Sequence, residues 1–578
     1  MVNFYTKRRA GISLPLNSLL TKNSFECGDF YSLEKILPFL KDSGFTILQL
    51  LPLNDLGKGR SPYSSISSFA IDPIYISLYK LDLPFKSRKD KINSLQIDIN
   101  RVRELKVSYL RDYYDSHFEE NIKEEVNSFL SKFPYMKTYA CFKILYNLYN
   151  GNSWETWNEN KYTTELENKI INENLLEFNF QIWLQIISYT QLKEIKELYT
   201  KEGVFLKGDM PILTSRNSAD VWSKSNLFHL HLQAGAPPDN FSAEGQNWGF
   251  PIFNWDEMKK ENYKWWKDRL HYLENFFDFY RIDHVLGMYR IWAIPQSAIS
   301  AKHGYYYPQH GVSREEFNEV GLNPDEFIQR EIIYEFEKDR FIFFWDFYKM
   351  EGYYTLDESI KAKLFPLSHK HIKEEEGFWR KEGEEILKIF RESSHLIPFA
   401  EDLGAVPEFV RHSIHENKII GLDIIRWTRS LTDGHFIKKE DYRQLAVSSL
   451  SVHDTSLILE WWNTLIEEDK KEFKEIISYD EKEISLLKQF LKFAFSTNSL
   501  FSIQLIQDVL YHESLYEEIK KENNPLLYPE KHRINIPGTE EDKNWGYRLP
   551  IFAEDLSEAS EVKKDLLLLL KISNRFNE

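Results

Sequence analysis

The stretch Phe276–Leu286, FFDFYRIDHVL, is an aromatic run that stops at Arg281, Ile282, Asp283 and His284. A short apolar run meeting charges so abruptly is the pattern of a strand buried on both faces that reaches the rim of a parallel sheet. A carboxylate delivered to such a rim is a candidate catalyst. An Arg and an Asp two residues apart can equally be a structural ion pair, and this stretch alone leaves both readings open.

Two later stretches repeat the design. His395–Leu403, HLIPFAEDL, ends in Glu401 and Asp402, and Leu445–Asp454, LAVSSLSVHD, ends in His453 and Asp454. Three such strands would gather three acids around one substrate at the C-terminal mouth of a parallel barrel. The expected fold class is therefore α/β, a (β/α)8 TIM barrel with large, mainly helical insertions. Further strands are expected at Phe45–Leu53 (FTILQLLPL), Gly203–Ile212 (GVFLKGDMPI) and Lys418–Trp427 (KIIGLDIIRW). The last falls where a sixth strand belongs if those of Glu401 and Asp454 are the fifth and seventh.

The three acid-bearing stretches resemble the nucleophile, acid/base and transition-state-stabiliser motifs of the 4-α-glucanotransferases, the amylomaltase or disproportionating-enzyme family related to the α-amylases. The similarity runs from about Gly11 to about Pro550. It implies Asp283 as nucleophile, Glu401 as acid/base, and Asp454 as the acid that distorts the sugar without bonding to it. His284 and His453 would donate hydrogen bonds to sugar hydroxyls. Substrate contacts are implied for Ser61 and Tyr63 of an SPY motif, and for Asp209 of GDMPI at the catalytic floor. They are implied too for Asp239, Trp248 and Gln246 in Gly235–Pro251 (GAPPDNFSAEGQNWGFP), which has the composition of a long mobile loop and would act as a lid. Arg281 joins this set, and its charge beside Asp283 would help keep the nucleophile ionised while burial holds the acid protonated.

Some positions depart from the family pattern: Asn217 for an aspartate, Phe250 for an asparagine, Leu286 for an arginine and Val452 for a threonine. A closing motif, RINIPGTEEDKNWGYRLP, carries Arg533, Asn544, Trp545 and Arg548, all expected to be structural.

The chain divides on this reading into 1–84, the first part of the barrel; 85–200, a helical insertion; 201–300, barrel with lid and nucleophile strand; 301–394, a second helical insertion; and 395–578, the remaining barrel and closing segment. Trp154 and Trp157 are expected to pack the first insertion against the barrel. A net charge of −16 opposes attraction to nucleic acid or an anionic membrane and is indifferent to a neutral sugar. The N-terminal segment lacks the continuous apolar core of a leader, so a cytoplasmic location is expected. Cys27 and Cys141 are too few for a disulfide scaffold or a thiolate metal site and are expected to be buried, inert thiols. His229 and His231 lie on one strand face without carboxylate support, and no metal or cofactor is expected.

The expected reaction is transfer of α-1,4-glucan segments from maltooligosaccharide donors to the 4-hydroxyl of glucose or another glucan, through a glycosyl-Asp283 intermediate. An amylase-like hydrolase would use the same acids with water as acceptor. A barrel that only binds glucan would be expected to lack at least one of the three, and all are present.

Overall fold

In the computed structural model, eight short strands are parallel and almost wholly buried: β1 (Arg9–Leu14), β2 (Ile47–Leu50), β3 (Phe205–Met210), β4 (Phe279–Ile282), β5 (Ile397–Ala400), β6 (Gly421–Ile424), β7 (Ala446–Ser449) and β8 (Phe501–Leu505). The structure describes residues 4–576 apart from 86–91, 93, 118–120, 239–241, 299, 405, 431, 483–484, 518 and 540–542. Each strand pairs with its neighbour in sequence, and β1 closes on β8 with Arg9 opposite Phe501. A single bridge, Phe399 to Ile420, joins β5 to β6 and completes the barrel. The strands of the three acids are thus the fourth, fifth and seventh, as their order in the sequence predicts.

The lower barrel is filled with apolar rings. Phe279, Phe399 and Phe501 meet one another edge-on or tilted, with centroids 5.0 to 6.3 Å apart. That layer holds the polar residues at the opposite mouth. Below it, buried Arg575 donates to the carbonyls of Arg9, Phe495, Thr497, Ser499 and Leu500 and ties the end of the chain to β1 and to the turn before β8.

Among the described residues the first insertion contains the α-helices Ile99–His117, Asn121–Lys132, Tyr135–Leu148, Thr164–Glu173 and Leu175–Lys201. It is pinned by buried charge to the loop after β2: Lys143 Nζ lies 2.6 Å from Asp55, and Arg103 Nη2 lies 2.9 Å from Asp72. Trp154 and Trp157 are buried, and Asn217 uses its amide on Trp154 N–H and on the Gly151 and Asn152 carbonyls.

Two features differ from the sequence reading. Much of Gly235–Pro251 is not free loop, because Phe228–Ala236 and Gln246–Phe253 pair as an antiparallel hairpin, extended by Ile291–Pro295 and Tyr305–Tyr307. Gly and Pro disguised the strands, yet Gly235 is there because a Cβ would lie 2.0 Å from the Gln246 carbonyl oxygen. In the second insertion the 35-residue helix Glu358–Glu392 follows a three-stranded sheet of Val312–Ser313, Ile333–Glu337 and Arg340–Phe343. The charges alternating through IYEFEKDR mimic an exposed helix, while Ile333, Phe341 and Phe317 build a separate small core. No helix among the described residues is long and apolar enough to cross a membrane.

Candidate active site

At the C-terminal mouth of the barrel the strand ends surround a cavity of about 910 Å³. Arg281 is the centre of its floor. It points inward from β4 and lies opposite Asp209 of β3 in the ladder. Its Nη1 reaches both Asp209 oxygens, at 2.8 and 3.0 Å, and Asp283 Oδ1 at 2.9 Å, while Nη2 lies 3.8 Å from Glu401 Oε2. One guanidinium therefore faces three carboxyl groups, which raises its pKa well above normal despite burial.

The acids around it are held in different protonation states. Burial pushes Glu401 up to about 8, because Arg281 only partly offsets the loss of solvent and Asp283 adds like-charge repulsion. Its Oε2 accepts the His284 N–H at 2.7 Å and its Oε1 the Leu403 N–H at 3.1 Å. Asp283 is pushed up to about 6, again by burial first, with Arg281 pulling the other way. The ionising effect expected of Arg281 is thus present but outweighed, since the same guanidinium is shared with Asp209 and Glu401. Near neutral pH Glu401 keeps its proton and Asp283 has lost its own. Asp454 is the opposite case: burial works against its charge, but His453 Nε2 at 3.1 Å and the Asn535 amide at 2.7 Å hold it down to about 2.

Aromatic rings wall the cleft. Tyr63 stacks on His453 with centroids 5.2 Å apart and donates its hydroxyl to Asp209 at 2.8 Å. Ser61, beside it, accepts the Tyr63 N–H at 3.4 Å and also lines the cavity. Trp248, on the hairpin, meets His284 edge-on at 5.1 Å and donates to Gln246. His284 sits in the left-handed region, φ 41°, a conformation costing roughly 1–2 kcal/mol for a residue with a Cβ. That strain turns its N–H onto Glu401, and burial with nearby Arg281 lowers its ring to about 4, so the imidazole is neutral.

The cavity lining brings together Asp283, Glu401, Asp454, Tyr63, Ser61, Arg281, His284, His453, Gln246 and Trp248, together with the departing positions Phe250 and Val452. Asp209 is not among them: its side chain is closed to solvent behind Arg281, so it orients that guanidinium and Tyr63 rather than facing a ligand. Asp239 lies outside the described residues. Sequence reasoning missed Asn535, which bonds Asp454, and misplaced Trp545, whose ring packs on Tyr63 and His453 at the cavity wall. Both come from the closing motif, where irregular backbone carries no periodicity to separate a lining residue from a supporting one. Arg548, by contrast, is buried and bonds the Glu26 carbonyl. Trp427, more than half exposed, also lines the cleft and was read only as the end of a strand.

A parallel barrel that brings three acids together at the C-terminal mouth of one aromatic-walled cleft has the layout of enzymes that break glycosidic bonds. The chain belongs to the 4-alpha-glucanotransferase family, whose description matches residues 14–554. It is 31% identical over 572 residues to a 4-alpha-glucanotransferase of Chlamydia pneumoniae, covering 96% of this chain and 93% of that protein. It is 27% identical to a 4-alpha-glucanotransferase of Oryza sativa subsp. japonica, covering 98% of this chain and 70% of the rice protein. Among solved structures, the amylomaltase from Streptococcus agalactiae in complex with acarbose shares the fold, with a TM-score of 0.72, 22% identity, and coverage of 99% of this chain and 100% of that one.

Proposed function

We propose that this 4-alpha-glucanotransferase cleaves an α-1,4 bond of a maltooligosaccharide by attack of Asp283 on the anomeric carbon while Glu401 protonates the leaving oxygen. Glu401 then takes the proton from the 4-hydroxyl of glucose or another glucan, which displaces Asp283 with a second inversion. The observation that carries this reading is the geometry around Arg281, which lies 2.9 Å from Asp283 and 3.8 Å from Glu401 in a cleft that Asp454 also lines, and burial raising Glu401 above Asp283 supports the division into acid and nucleophile. Asp454, held ionised, is suited to accept hydrogen bonds from the hydroxyls of the distorted sugar. Tyr63, Trp545 and Trp248 offer apolar faces for neighbouring glucose rings, and the hairpin carrying Gln246 and Trp248 overhangs the cleft to disfavour water as acceptor.

The test is incubation with maltotriose alone. Transfer breaks one α-1,4 bond for each one made, so a ladder of longer oligosaccharides plus glucose is expected with nearly constant total reducing ends. A steep rise in reducing ends with no product longer than maltotriose would overturn transfer in favour of hydrolysis.

A further inference from the structure

Strands β5 and β6 share the sparsest ladder in the barrel. Pro398 of β5 has no N–H to give. The one bridge consists of Ala400 N–H on the Ile420 carbonyl at 2.7 Å and Ile420 N–H on the Pro398 carbonyl at 3.3 Å. In a regular parallel ladder the next rung would run from Leu422 N–H to the Ala400 carbonyl. Here Leu422 N–H donates instead to the carboxylate of Asp402, at 2.8 Å. Arg443, in the turn before β7, grips the same carboxylate through Nη1 at 2.6 Å and Nη2 at 3.3 Å. It also grips Asp423 of β6 through Nε at 2.9 Å and Nη2 at 2.7 Å. Side chains therefore take the place of the missing rungs at this seam.

Asp402 directly follows Glu401, and successive side chains along an extended chain point to opposite faces. Whatever fixes Asp402 on the outer face of the seam fixes Glu401 on the inner one. The hydrogen bonds of Arg443 go to Asp402, Asp423 and the Leu422 carbonyl, none of them a reacting group. Asp283 has anchors outside the seam, Arg281 Nη1 at 2.9 Å and the Met210 carbonyl accepting its N–H at 3.3 Å, while its neighbours Ile282, His284 and Val285 share hydrogen bonds with Glu401 that Arg443 does not touch. We infer that Arg443, with Asp402, is a positioning residue for proton transfer by Glu401, an inference that rests on the acid/base assignment of Glu401 above. Loosening this clamp should impair protonation of the leaving oxygen selectively and leave nucleophilic attack largely intact.

Two substrates separate the two effects. Maltotriose needs Glu401 as acid and then as base. With α-maltotriosyl fluoride and azide, fluoride departs as the anion while Asp283 bonds the anomeric carbon, and azide then displaces Asp283, so neither step moves a proton through Glu401. Arg443→Met and Asp402→Asn are expected to cut turnover of maltotriose about 10- to 100-fold while changing the fluoride and azide reaction by less than about threefold, the range a small misplacement of one catalytic group produces. Arg443→Lys keeps a cation and should show the same selective loss in weaker form, which preserves the comparison if Arg443→Met does not fold. Equal losses on both substrates, or no loss on either, would overturn the inference. Hydrolysis rather than transfer by the wild-type enzyme would overturn the proposed acceptor alone, because water and sugar acceptors both exchange a proton with Glu401.

Discussion

Arg281 sets the electrostatics of the cleft, and its removal has a calculable sign. It is the largest influence opposing the rise of both Asp283 and Glu401. In the wild-type enzyme kcat/KM should climb as pH rises through about 6, where Asp283 ionises, and fall as it passes through about 8, where Glu401 loses its proton. Arg281→Met should move the acidic limb upward, because Asp283 without its cation needs a higher pH to ionise. A pH–rate profile of the two proteins checks this, and an unmoved acidic limb would remove Arg281 from that role. Under the proposed role of Glu401, Glu401→Gln should lower turnover of maltotriose by about 10² to 10⁴, the usual worth of a general acid, with little change in circular dichroism. At this scale the gathering of Asp283, Glu401 and Asp454 in one cleft was legible, since each follows the end of a barrel strand. Asn535 and Trp545 were not, because their places depend on how a loop folds back over β7, and no local pattern encodes that.

Single elements carry the cleft walls. The hairpin brings Trp248 and Gln246 over the acids, and it depends on close approach of its two strands at Gly235. Gly235→Ala would drive a Cβ into the Gln246 carbonyl and splay the tip. The expected result is weaker use of long glucans, seen as a raised KM for maltoheptaose, with an unchanged pH profile. The first insertion acts on the opposite wall. Lys143 lies against Asp55 and Arg103 against Asp72, so two helices grip the loop that presents Tyr63. Lys143→Met leaves a buried carboxylate without its cation and should destabilise the protein by about 3–5 kcal/mol in denaturant unfolding. A loss below about 1 kcal/mol, the worth of an exposed pair, would show that the insertion does not buttress the loop. The helices of this insertion announce themselves by period and charge. The small sheet at Ile333–Phe343 does not, because its strands are short and alternate polar with apolar residues amid helix-forming ones.

Across the whole molecule, the order of the six barrel strands from β2 to β7 was predictable from their sequence, whereas β1 (RAGISL) and β8 (FSIQL), interrupted by glycine and polar residues, were not read as strands. The closure was not predictable, since Pro398 marks a weak point in β5 but nothing local in β6 reports that the ladder between them is reduced to one bridge. Closure at the base depends on Arg575, which has five carbonyl partners. Arg575→Met should lower the melting temperature by several degrees while leaving kcat at room temperature close to that of the wild type, because hydrogen bonds to a buried charge contribute about 1.5–3 kcal/mol each and none of these lies near the cleft.

The pairing of Arg9 with Phe501 also sets an order of events during synthesis. Strand β1 leaves the ribosome first but has no partner on one edge until β8 has been made, which at about 5–20 residues per second takes on the order of tens of seconds. During that interval the nascent chain exposes a strand edge of the kind that pairs with other chains. Chains arrested before Phe501 are expected to be cut readily by protease within Arg9–Leu14 and to bind holdase chaperones, and chains released after Arg575 to do neither. The enzyme is thus one whose first strand is finished by its last, and its vulnerability is greatest while it is being born.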